Sequence, residues 1–177
     1  MGTAIFHHPP PYVAQTAQNS CWAASLDMWF KAELGFTKWT QLQLRSSAEA
    51  FTVSPSGINL MGLQHIIDDA TKVGTIQMWT KVVNSASETP KIPLIITEVG
   101  YVYIAFQHPD GRGGHVNVLT GWDGDSTYAA TDPDPGVRNT DRSHQFYFSR
   151  FPAFVGWRET PGMIGLGFTG HAPWDYE

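Results

Sequence analysis

A chain of 177 residues, 42% of them hydrophobic and 13% aromatic, is long enough for one domain with a sizeable core, spanning 1–177. Net charge is −5, pI is about 5.7, and lysine and arginine do not cluster, which argues against nucleic acid or an anionic membrane as partner. No stretch approaches the roughly 20 apolar residues of a membrane span, and the N-terminus lacks a basic-then-apolar signal pattern.

Along the chain, residues 1–14, with Pro9, Pro10 and Pro11, read as an extended lead-in. Residues 22–34 carry apolar side chains at Trp22, Leu26, Trp29, Phe30 and Leu34, which predicts a helix with Ser20 as N-cap and Gly35 just past its end. A second helix is expected over 40–51 and a third over 59–73, capped by Asn59 and ended by Gly74. Residues 88–99 stay open: Pro90 and Pro93 suit a helix start, Ile95 and Ile96 a strand. Three strands follow at 101–106, 115–122 and 126–131, separated by the turns 111–114 and 123–125. A further strand is expected over 144–148. Residues 158–177 hold Gly162, Gly165, Gly167 and Gly170 without a lysine or a strand-to-helix frame, so they read as turns and not as a phosphate loop.

Cys21 is the only cysteine, so it is either a small buried hydrophobe or a reactive thiol. It would lie in the first turn of the 22–34 helix, where unpaired N–H groups and the helix dipole favour a thiolate. His115 opens the second of the three strands and Asp132 closes the third. In an antiparallel hairpin those two ends are neighbours, and a histidine oriented by a carboxylate is the base a cysteine nucleophile needs. His108 competes as base, but His115 opens an apolar strand that can hold the ring rigidly. Asp123, Asp125, Asp132 and Asp134 do not fit an EF-hand spacing and read as turn carboxylates. One cysteine is too few for a structural zinc site, and no metal is assigned. Trp22 and Trp122 suit a core and could also wall a cleft.

Gln15, six residues before Cys21, with Trp22-Ala23-Ala24-Ser25 following, then Gly114-His115 and Asp132-Pro133, make the chain resemble a papain-like cysteine peptidase of the compact type found in bacterial peptidases and secreted effectors. The order Gln, Cys, His, Asp is also that family's. The sequence departs from plant and lysosomal relatives in having Gln18-Asn19-Ser20 before the cysteine, and in placing His115 only 94 residues after it. Their substrate cleft is therefore not transferable.

The resemblance implies an α+β fold in which an N-terminal helical lobe bearing the nucleophile helix packs on a C-terminal antiparallel sheet lobe. It implies Cys21 as nucleophile, His115 as base, Asp132 as its orienter and Gln15 with the Cys21 N–H as oxyanion donors. Gly114 would let substrate backbone approach, with Trp22 and Trp122 as cleft walls. No cofactor is required. The expected partners are a protein substrate and, for a secreted effector or interbacterial toxin, an immunity or inhibitor protein. Deamidase, transglutaminase or acyltransferase chemistry on the same scaffold stays open, whereas the intact set of Gln15, Cys21, His115 and Asp132 argues against a catalytically idle binding module. The lone thiol suggests a reducing, cytoplasmic site of action, reached without a cleavable signal if the protein is exported.

Overall fold

The helix predicted from the first apolar pattern is the centre of the structure. In α1 (Cys21–Leu34) every residue from Cys21 to Phe30 is buried, so the helix is enclosed all round instead of presenting one face. The computed structural model describes residues 2–35, 39–48, 52–53, 57–73, 78–111 and 113–159. Gly35 ends α1 at φ 74°, with its N–H on the Lys31 carbonyl at 3.0 Å, as the sequence anticipates. Ser20 holds the N-cap position without capping: its hydroxyl turns back to Ala17 and to Gln41 Oε1 (3.0 Å).

α2 (Gln41–Ser47) starts at a capping box between Thr40 and Gln43 and has ended by Ala48, short of the predicted 51. Residues 49–51 lie outside the described residues. A two-stranded hairpin, β2 (Thr52–Val53) with β3 (Gly57–Ile58), precedes α3 (Leu60–Val73). Asn59 Oδ1 caps α3 by accepting the Gly62 N–H at 2.7 Å, as expected, while Gly74 lies outside the described residues. The open segment 88–99 resolves into α4 (Ile92–Glu98), with Pro93 in its first turn. Ile92, Ile95 and Ile96 form its buried stripe, a spacing that a strand would have split between two faces.

The main sheet is antiparallel, in the order β4 (Met78–Val83), β9 (Ala153–Arg158), β5 (Val102–Gln107), β6 (Gly114–Trp122), β7 (Thr127–Thr131), β8 (Asn139–Ser143). The lead-in is not merely extended: β1 (Ile5–Phe6) pairs with Trp122 and Gly121 of β6. A Cβ at Gly121 would sit 2.9 Å from the Ile5 carbonyl oxygen, so only glycine lets β1 dock there. The strand expected over 144–148 is a correction: α5 (His144–Tyr147) is a single helical turn, started by Ser143 Oγ accepting the Phe146 N–H at 3.1 Å. Its aromatic run stacks on Phe106 instead of joining the sheet. The glycine-rich residues 160–177 lie outside the described residues.

Period-two alternation in β5 divides the core. Tyr103 and Ala105 face α1, α2 and α3, while Val102, Ile104 and Phe106 face α4 and α5. A helical group thus lies against one face of an antiparallel sheet, as the sequence predicts, and two short helices cover the other.

Glu33, near the end of α1, accepts the Tyr101 N–H at 3.3 Å and lies 3.7 Å from Arg158, with its side chain 4% exposed. Burial pushes its carboxyl up to about 7, against the Tyr101 N–H and Arg158, which both favour the charged form. A raised carboxyl stabilises the fold below its unfolded value and loses that contribution as pH rises through about 7. Glu33→Gln should therefore exceed the wild type in stability at about pH 8, the difference closing toward pH 4.5, in denaturant titrations run at both pH values.

Candidate active site

The first turn of α1 leaves N–H groups without intrahelical acceptors, and Cys21 is its first residue, 8% exposed. Two bonds fix this end of the helix to the sheet: Ser25 Oγ donates to the Val116 carbonyl at 3.0 Å, and Tyr103 OH donates to the Trp22 carbonyl at 3.2 Å. The start of β6 is thereby held beside the start of α1.

His115 is the second residue of β6. The β6–β7 ladder pairs Val118 with Thr131, so Asp132, one step on, falls opposite Asn117 and within reach of His115 on the same face. The ring's Nε2 lies 2.8 Å from Asp132 Oδ1, which leaves Nδ1 for Cys21. Phe106, the ladder partner of His115, packs edge-on against the ring at 5.8 Å between centroids. Burial alone would lower the imidazole pKa, but hydrogen bonds to Asp132 and Cys21 and their charges outweigh it and raise it to about 9. Asp132 is itself buried and also accepts the Asp134 N–H at 2.8 Å.

The Gln15 loop is sewn to the same place. The Gln15 N–H donates to the Pro133 carbonyl at 2.9 Å, and Tyr12 OH donates to that carbonyl at 3.2 Å. Gln15 Oε1 is buried without a hydrogen-bond partner. Buried Gln41 brackets the loop: its Oε1 accepts from the Thr16 N–H (2.8 Å) and lies within hydrogen-bond distance of the Thr16 and Ser20 hydroxyls, and its Nε2 donates to the Ala14 carbonyl (2.9 Å). Its backbone N–H meets Asp27 Oδ2 at 3.0 Å. Sequence reasoning missed Gln41, because nothing in a helix-start glutamine announces a loop 25 residues earlier as its partner.

Cys21 and His115 share an open cleft of about 650 Å³. Trp22 and Gly114 line it, with Ile58, Leu60, Leu63 and Phe106 as apolar walls. Gln18 and Asn19 reach it too. Trp122 does not: it stands seven residues from His115 on β6, about 23 Å along the strand, where it pairs with Ile5 and packs against Tyr128. His108 is paired with Asp110 at 2.6 Å in the hairpin turn. Asp123 accepts the N–H groups of Asp125, Ser126 and Thr127, which accounts for it as a turn carboxylate.

Helices laid on an antiparallel sheet, with a thiol and an imidazole meeting at the join, define the class: the protein is a papain-like cysteine peptidase. Its family is narrower, because residues 7–150 match the model of the papain-like cysteine protease AvrRpt2, and the chain belongs to that family. No curated protein matches the chain significantly. Among solved structures it is similar to the peptidase domain of Streptococcus ComA, a bifunctional ABC transporter involved in quorum sensing. That likeness has 19% identity and a TM-score of 0.62, and covers 86% of this chain and all of that domain. It is also similar to a double glycine motif protease from an AMS/PCAT transporter, solved with its leader peptide, at 16% identity and a TM-score of 0.55 over 85% of this chain and 92% of that one. At these identities the likeness is one of fold.

Gln41→Leu should lower stability by roughly 2–4 kcal/mol, since several loop groups lose their partner at once and each buried orphan costs about 1–3 kcal/mol. Chemical unfolding followed by tryptophan fluorescence measures it; an unchanged midpoint would mean that the loop holds itself.

Proposed function

We propose that the protein is a cysteine endopeptidase that cleaves a protein substrate through a thioester on Cys21. The observation that carries this is the contiguous chain of contacts from the thiol to His115 to buried Asp132, opening on a cleft. Cys21 as thiolate attacks the scissile carbonyl carbon while His115 is imidazolium. The oxyanion is held by the Gln15 side-chain amide and the Cys21 N–H, a kind of donor worth roughly 3–4 kcal/mol in comparable sites. His115 protonates the leaving amine, then takes a proton from the water that hydrolyses the thioester, and Asp132 keeps the ring oriented and favours its charged form. Gly114, without a side chain, admits an extended substrate backbone, and the apolar walls near Trp22 favour a neutral substrate side chain. We further propose a target in a reducing compartment of a recipient cell, with the producer protected by an inhibitor or immunity protein; the lone free thiol supports this. Among the described residues no helix is long and apolar enough to cross a membrane.

Cys21→Ala and His115→Ala should each abolish turnover while leaving the fold intact, and His108→Ala should be mild. Gln15→Ala should lower kcat by about 10²- to 10³-fold with little change in KM, and Gln18→Ala should not. Intact-mass analysis of a cleaved target should show two fragments summing to the parent plus one water. A single product about 1 Da heavier would instead mean deamidation, and a cross-linked or acylated product would mean transfer.

The raised imidazole sets the alkaline limit. His115 must carry a proton for the leaving amine, so kcat/KM should fall as pH rises through about 9, and an alkaline limb near 6.5 would contradict the pairing. The stability that the pairing contributes follows the same sign. It is present below 6.5 and lost as pH rises through about 9.

A further inference from the structure

Behind Asp132 stands a second tier of buried polar groups that the proposed chemistry does not use. Asn117 follows His115 by two residues on β6, so both side chains leave the same face of the strand. It is 1% exposed, and its ladder neighbour across β7 is the Asp132 position. Of the two ways its amide can face, only one satisfies both ends. There Nδ2 lies 2.9 Å from the Val116 carbonyl and 3.2 Å from Asp132 Oδ2, and Oδ1 accepts from Tyr147 OH at 3.1 Å. Tyr147 comes from α5, is fully buried, and packs edge-on against Phe106 at 4.9 Å between centroids.

We propose that Asn117 and Tyr147 are positioning residues that lock the Asp132 carboxylate in the orientation His115 requires. This rests on the Cys21, His115 and Asp132 reading above. A carboxylate held at one oxygen can rotate about its last bond. Oδ1 of Asp132 is already shared between His115 and the Asp134 N–H, so a donor on Oδ2 is what removes the remaining freedom. Asn117 supplies that donor, and Tyr147 fixes which way Asn117 faces, because a hydroxyl whose proton is donated to Oδ1 leaves Nδ2 to turn toward the carboxylate. The titratable and charged groups around His115, Asp132 and Tyr147 are Cys21 from α1, Tyr12 from the lead-in, Asp134 and Arg138 from the segment after β7, and Asp141 and Arg142 from β8.

Asn117→Ala and Tyr147→Phe should be compared with the wild type across roughly pH 5 to 10, with rates normalised to the fraction of Cys21 that iodoacetamide titrates. With its donor gone, Asp132 can turn away and His115 loses the hydrogen bond that most raises its pKa. For Asn117→Ala we expect kcat to fall about tenfold or more, the scale on which outer partners of a functional ligand act, with KM within about twofold. The alkaline limb should move from about 9 toward 6.5. Tyr147→Phe removes one oxygen and should shift the limb the same way by less; it carries the test if Asn117→Ala does not fold. Folded variants that keep the wild-type limb overturn the proposal whatever their rate, since a merely structural loss reduces the amount of active enzyme and not its titration. A wild type without a limb near 9 would instead overturn the pairing on which the proposal rests.

Discussion

The site depends on the seating of one buried helix end against one strand end. α1 cannot slide along the sheet, because Ser25 holds the Val116 carbonyl of β6 and Tyr103 of β5 holds the Trp22 carbonyl, and both bonds are buried in an apolar core. The two anchored carbonyls belong to the next residues in sequence, Trp22 after Cys21 and Val116 after His115. Seating α1 therefore sets the distance between thiol and imidazole as a consequence of packing, without a loop having to find it.

Burial works against the imidazolium that this arrangement creates, and the geometry reverses the balance. Desolvation lowers the His115 pKa, so a ring enclosed by Phe106 with no partners would be neutral. Asp132 and Cys21 sit at the two ring nitrogens, and their combined hydrogen bonds and charges win. The same low dielectric that penalises a lone charge strengthens a fully paired one. Asp132 faces the same problem one step back, and the Asp134 N–H meets part of its demand from the backbone. The polar groups are thus arranged in layers, each satisfying the one nearer the cleft.

Much of this was legible in the sequence, for local reasons. The α1 pattern, the Asn59 cap and the hairpin that brings His115 to Asp132 each depend on residues close in the chain, where periodicity and turn chemistry act. What was missed is non-local. β4 pairs with β9 across 70 to 80 residues, from Val83 with Ala153 to Met78 with Arg158, and no local signal records that partnership. β8 is a polar edge, Asn139 to Ser143, which lacks the apolar alternation by which strands are read and is suited to solvent for that reason. α5 was mistaken for a strand because an aromatic run fits either state; the Ser143 cap decides it. Trp122 was misplaced for a reason the sequence did contain: a nine-residue strand starting at the site must carry its last residue far from it.

Gln41 shows why the 14–20 loop was harder to read than the meeting of His115 and Asp132. His115 and Asp132 are fixed by a ladder that repeats every two residues, so their meeting follows from register. The 14–20 loop has no ladder. One glutamine side chain from α2 gathers the Ala14 carbonyl, the Thr16 N–H and the Ser20 hydroxyl, on both sides of Gln15, while Gln15 reaches Pro133 through its own backbone. A loop held this way keeps its shape because one buried side chain satisfies several of its polar groups at once. Such a clamp leaves no periodic trace in sequence, and a substitution at Gln41 would act on the position of Gln15 without touching either residue of the Cys21 and His115 pair.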